Sequence, residues 1–185
     1  MPRDSSFLPP IVKYFKQKRW QTFVYDYRKG SMPIRILRFT PLVGGFEKAS
    51  SKLSEDILEV TNKIKPNLIF VIKGETLSRD LIRKIKNKNN KIVNWFPDPM
   101  NLWDLMIKIA PGYDFFLHFD PLIVRKLKRL GHKNVIHVPF AAEIQKRIDK
   151  PKIYDISFVG TYSKDREEKL SKLMKFDLNI WGDPR

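Results

Sequence analysis

The stretch Asn67–Ile72, NLIFVI, is an apolar run held between Pro66 and the polar group Lys73, Gly74 and Glu75. A strand with one wet face alternates apolar and polar residues. A near-continuous run marks a strand buried on both faces, as in parallel sheets. Three shorter runs follow: Lys91–Trp95 (KIVNW), Tyr113–His118 (YDFFLH) and Asn134–Val138 (NVIHV). Helical patterns separate them. Thr76–Asn87 turns Leu77, Leu81, Ile82 and Ile85 inward, and Leu102–Ile109 is short and amphipathic. Pro121–Leu130 ends at Gly131, a residue that enters the left-handed region cheaply. Upstream, Ser51–Ile64 repeats Leu53, Ile57, Val60 and Ile64 at helical spacing. Strands alternating with helices of this length make βαβ units and predict an α/β, Rossmann-like doubly wound parallel sheet.

Further out, Leu8 to Arg19 reads as a helix opened by two prolines, Thr22–Tyr27 (TFVYDY) as a strand and Lys29–Gly45 as a loop. The first domain is expected over residues 1–142, and the polar, proline-ended stretch 143–152 as a linker. A second pattern then opens, with strand Ile153–Val159, turn Gly160–Ser163, helix Lys164–Met174 and strand Asp177–Trp181. One βαβ unit cannot cover both faces of its own strands, so residues 153–185 read as the start of a second, incomplete Rossmann-like domain.

Composition narrows the classes. At 42% hydrophobic and 12% aromatic, the chain has the material for a core and is not a disordered polymer. It has no cysteine, which excludes disulfides, thiolate zinc sites and thiol catalysis. Without an apolar run of about 18 residues or a secretory leader pattern, a cytoplasmic location is expected. The net charge of +16 first suggests nucleic acid. However, Lys outnumbers Arg 24 to 12, and base reading favours the planar fork of Arg. The basic residues also fall mostly on helix faces (Arg79, Arg83, Lys84, Arg125, Lys126), the ordinary solvated layer of an α/β domain. No specific nucleic-acid partner is expected. Attraction to an anionic acceptor or a peripheral membrane surface is compatible with this charge.

Phosphate-loop signatures, zinc-protease spacing and the hydrolase nucleophile elbow are all absent. Open α/β sheets bind ligands at the carboxyl ends of their strands. Those ends carry Lys73 and Glu75, then Asp98, then His118 and Asp120, then Gly160, Thr161 and Tyr162. Asp98 and Glu75 are the best placed to accept a hydroxyl proton or hold a hydroxyl group, with helix capping as the alternative. By residue type alone, His118 reads as structural. The turn at Gly160 and Thr161 opens a helix whose first turn holds Arg166, a combination suited to a phosphate. A tight βα connection is the alternative there.

Tyr154–Asp183 (YDISFVGTYSKDREEKLSKLMKFDLNIWGD) resembles the start of the second domain in the spore maturation CgeB-like glycosyltransferases. Phe7–Tyr27, Lys65–Gly74 (KPNLIFVIKG), Asn94–Pro99 (NWFPDP), Tyr113–Phe119 and His137–Ala142 (HVPFAA) look like that family's N-terminal half, in order. The resemblance implies a GT-B architecture, with an acceptor-side and a donor-side Rossmann-like domain. It implies a metal-independent hexosyltransferase-type enzyme with no cofactor, the nucleotide-sugar being the donor substrate. Asp98, Glu75 and His118 are then the candidate catalytic residues, with Lys73 beside them, and Gly160, Thr161 and Arg166 are the candidate donor-binding residues. Against the family pattern, the first strand is short of room and most of the donor domain is missing. A fragment with little activity alone is therefore expected. The alternatives are a stand-alone Rossmann-like binding or regulatory module and a basic nucleic-acid-binding protein.

Overall fold

The computed structural model describes residues 7–26, 45–98, 102–141 and 151–182. They divide into two compact units, Met1–Phe140 and Ala141–Arg185. Most of the expected linker, residues 143–150, lies outside the described residues, as does the expected loop over 29–44.

The first unit contains α1 (Leu8–Gln17), α2 (Gly45–Ile64), β1 (Leu68–Ile72), α3 (Arg79–Ile85), β2 (Lys91–Phe96), α4 (Trp103–Ile109), β3 (Phe115–His118), α5 (Pro121–Arg129) and β4 (Val135–His137). Its sheet is parallel throughout, in the order β1-β2-β3-β4. The α/β reading with parallel strands therefore holds. A doubly wound sheet also reverses its strand order at a switch point, and the four described strands run in simple chain order without reversal. Right-handed crossovers in that order place α3, α4 and α5 on one face. Register puts Val71, Asn94 and Phe116 side by side on that face, with Ile92, Phe96, His118 and Val135 along the same rows. These residues, apart from Asn94 and His118, join Leu81, Ile82, Met106, Ile123 and Leu127 in a single buried core.

The opposite face is covered more thinly. Phe15 of α1 reaches Phe70, and Phe7 packs edge-on against Trp95 and stacks on Phe140. Phe115 and Ile136 remain 43% and 41% exposed. The expected strand at Thr22–Tyr27 does not form over its described part: residues 22–26 join no strand ladder. β-Branched and aromatic residues favour a strand only where a pleated surface receives them, and Phe23 and Val24 stand exposed. Gly45, expected in a loop, already belongs to α2.

Helix starts follow local capping. Ser78 accepts from Leu81 N at 3.1 Å, so α3 begins at Arg79 and not at Thr76. At the other end Asn90 donates to the Ile85 carbonyl at 2.8 Å and ends it early. Asp120 accepts from Leu122 N at 2.7 Å with Pro121 in the first turn of α5, and Gly131, at φ +92°, closes that helix.

The second unit comprises β5 (Ile156–Val159), α6 (Lys164–Ser171) and β6 (Leu178–Trp181), with β5 and β6 parallel. None of its described residues is buried, and Val159 is 78% exposed. Gly182 packs so closely that a Cβ there would collide with the Gly160 carbonyl oxygen.

Candidate functional site

The chain leaving β1 is conformationally unusual. Lys73 adopts φ +68° and Gly74 φ +71°. Glycine takes this region freely, whereas a lysine there is disfavoured by about 1–2 kcal/mol. Gly74 is also required for space, since a Cβ would lie 2.6 Å from Val71 Cγ1. The turn is tied back by Lys73 N–H donating to the Trp95 carbonyl at 2.8 Å and by Asn94 Nδ2 donating to the Lys73 carbonyl at 3.0 Å.

This turn brings three of the expected charged residues together. Lys73 Nζ lies 3.3 Å from Asp98 Oδ2 and 3.8 Å from Glu75 Oε1. The contact with Asp98 is ionic and not a directed hydrogen bond, because Oδ2 is buried without a hydrogen-bond partner. A partly exposed pair of this kind contributes about 0–1 kcal/mol. The ion pair alone does not offset the backbone strain at Lys73, and the two hydrogen bonds that tie the turn back hold it in place. Arg19 and Lys65 also adopt positive φ, at 60° and 49°, so the strain singles out Lys73 only together with the charges beside it.

Among the described residues, four further buried side-chain atoms lack hydrogen-bond partners: Thr76 Oγ1, Asn94 Oδ1, Trp95 Nε1 and the Tyr113 hydroxyl. Each unmade buried hydrogen bond costs about 1–3 kcal/mol, so their grouping is informative. Thr76, Asn94, Trp95 and Asp98 belong to the carboxyl-end region of β1 and β2. Tyr113 reaches the same place, its hydroxyl 3.3 Å from where a Gly74 Cβ would stand. Burial pushes the Tyr113 phenol up to about 12, and the Asn94 amide beside it pulls the other way without reaching full hydrogen-bond geometry.

His118 occupies the same end of the sheet but plays a different part. It is fully buried. Its Nε2 lies 2.9 Å from the Asp98 carbonyl, and its Nδ1 accepts from Asp120 N–H at 3.0 Å. Those partners require the neutral ring with the proton on Nε2. Burial lowers its pKa below the usual histidine value, while Asp98 and Asp120 pull upward. His118 is therefore joined to Asp98 through the backbone, with neither ring nitrogen turned toward an open surface.

In the second unit, Gly160, Thr161 and Arg166 do come together. Arg166 Nη1 donates to the Thr161 carbonyl at 2.7 Å and lies 3.0 Å from Thr161 Oγ1, and the guanidinium stands over Phe158. Ser163 caps α6 by accepting from Arg166 N. The strand-end turn thus places a guanidinium, a hydroxyl and a helix N-terminus within one short loop.

Reading the sequence by type and position finds the charged residues but misses Asn94 and Tyr113. The available signal for Asn94 was a lone amide inside the run KIVNWF, and for Tyr113 there was none. Among the described residues, no group of three or more His, Asp or Glu could hold a metal ion, and no helix is long and apolar enough to cross a membrane. Comparison with protein-family models and with curated proteins finds no match for this chain.

Proposed function

We propose that the chain is part of a GT-B-type glycosyltransferase of the spore maturation CgeB-like kind. In this reading the first unit contributes the acceptor side and the second the start of the nucleotide-sugar side. The observation that carries it is the strand-end cluster of Lys73, Glu75 and Asp98, held by a left-handed lysine and bordered by unpartnered buried polar groups. A carboxylate held beside an ammonium group suits binding and orienting an acceptor hydroxyl, and Asp98 would take its proton as the glycosyl bond forms. In the second unit, Arg166 and the α6 N-terminus would meet a leaving diphosphate, with Asp165 and Glu167 of the same first turn opposing them.

Calorimetry with UDP and a panel of UDP-hexoses, on a chain extended past Arg185, tests this. Heat of binding that is lost in Arg166→Ala and retained in Asp98→Asn supports the division of roles. Silence across the panel overturns the reading and favours a Rossmann-like module with another ligand.

A further inference from the structure

The carboxyl end of the first sheet contains a repeated contact. Asn94 on β2 donates to the Lys73 carbonyl in the turn leaving β1. His118 on β3 bonds the Asp98 carbonyl in the segment leaving β2. His137 on β4 bonds the Phe119 carbonyl in the turn leaving β3, with its Nε2 at 2.9 Å. Each strand thus uses one polar side chain to hold the loop of the strand before it. Register places Asn94 and His118 on one sheet face, with His137 directly beside His118.

The three rungs differ in chemistry. An amide does not titrate. His137 bonds the Phe119 carbonyl as a donor, a role open to either form of the ring. His118 alone must donate from one nitrogen and accept at the other, joining the Asp98 segment to the Asp120 turn that caps α5.

We propose that His118 is a positioning residue that fixes the Asp98 loop only while its ring is neutral, making the strand-end site acid-sensitive. Protonation places an N–H at Nδ1 against the Asp120 N–H, two donors facing each other. The ring then turns or the Asp120 turn moves, and either change loosens the link to the Asp98 carbonyl. The charged groups facing the ring are Asp98 from the β2 exit, itself paired with Lys73 from the β1 exit, and Asp120 from its own turn. His137 flanks it from β4, and Phe119 stacks on it at 4.8 Å. The two carboxylates favour the charged ring and burial opposes it more strongly, the net direction being downward. The consequence for chemistry rests on the site reading above, but the latch itself does not.

The test is isotope-labelled NMR of the 185-residue chain without any sugar nucleotide. Long-range ring spectra should show the Nε2–H tautomer at about pH 8. On lowering the pH, the His118 ring and the Asp98 and Asp120 amides should move together, with one midpoint below 6.5. His118→Asn keeps an acceptor for Asp120, and His118→Gln keeps a donor for the Asp98 carbonyl. Both should abolish that shared transition. An Nδ1–H tautomer, a midpoint at or above 6.5, unmoved Asp98 and Asp120 amides, or a transition surviving in either variant overturns the proposal. If neither variant folds, the wild-type tautomer and midpoint still decide it. Absence of UDP binding by a chain extended past Arg185 would remove the glycosyltransferase reading and leave this result standing.

Discussion

The two units are written in the same βαβ pattern and reach opposite degrees of burial. In the first, Ile92, Phe96, Phe116 and Val135 are fully enclosed by helices on one face of a four-stranded sheet. In the second, a two-stranded sheet with one short helix encloses nothing, and Val159, Ile180 and Trp181 are exposed. Strand propensity is similar in both. The difference lies in layers: a helix covers its own crossover and part of the next, so burial accumulates only as units are added side by side. The outer face of the first sheet makes the same point more mildly, since among the described residues α1 and a few aromatic rings pack on it and leave Phe115 and Ile136 exposed.

The largest effect that would sharpen this comparison is Phe116→Ala. The ring is fully buried and stacks on Phe96 at 5.8 Å. Its truncation should cost about 3–5 kcal/mol in chemical denaturation followed by tryptophan fluorescence. A loss below about 1 kcal/mol would show that the helix-covered face is not the stabilising core. Next comes Gly74→Ala. A side chain there meets Val71 and must hold a left-handed backbone, so a loss of about 2 kcal/mol or more is expected. An unchanged midpoint would mean that the turn relaxes freely, and the strain argument would fall with it.

The third effect depends on pH. The folded state holds His118 neutral below its usual pKa, so below about 6.5 the unfolded chain binds more protons. Stability should therefore fall as pH drops through that value toward the folded pKa. His118→Asn should flatten this part of the profile, and an equal slope in both proteins would contradict the assignment. The smallest effect is Val159→Ala in the second unit. It removes exposed atoms only, and the change should stay within about 0.5 kcal/mol. A loss comparable with that of Phe116→Ala would erase the contrast between the units.

The parallel strands were legible because each combines an apolar run with a turn residue at its end. The helix expected over Thr76–Asn87 is shorter at both ends, at Ser78 and near Asn90, because a helix ends where a side chain satisfies its free backbone groups. Thr22–Tyr27 misled because its composition suits a strand, and no neighbouring strand pairs with residues 22–26. The strand-end rule located Lys73, Glu75, Asp98 and His118 from position alone. It could not tell that His118 bonds the backbone of Asp98 and not its carboxylate, since that follows from register across β2 and β3. Asn94 and Tyr113 were hidden for the same reason, their meeting at Gly74 being set by tertiary packing.

Under the proposed reading, the strand ends of the two units bind different partners, a sugar acceptor in the first and a nucleotide-sugar in the second. Amide proton–nitrogen correlation spectra of a chain extended past Arg185, recorded while UDP-glucose and then a free sugar acceptor are added, probe both strand ends at once. The account predicts that the nucleotide-sugar moves signals around Gly160, Thr161 and Arg166, and that the acceptor moves those around Lys73, Glu75 and Asp98. Silence at both sets, or both sets responding alike to either compound, would contradict it.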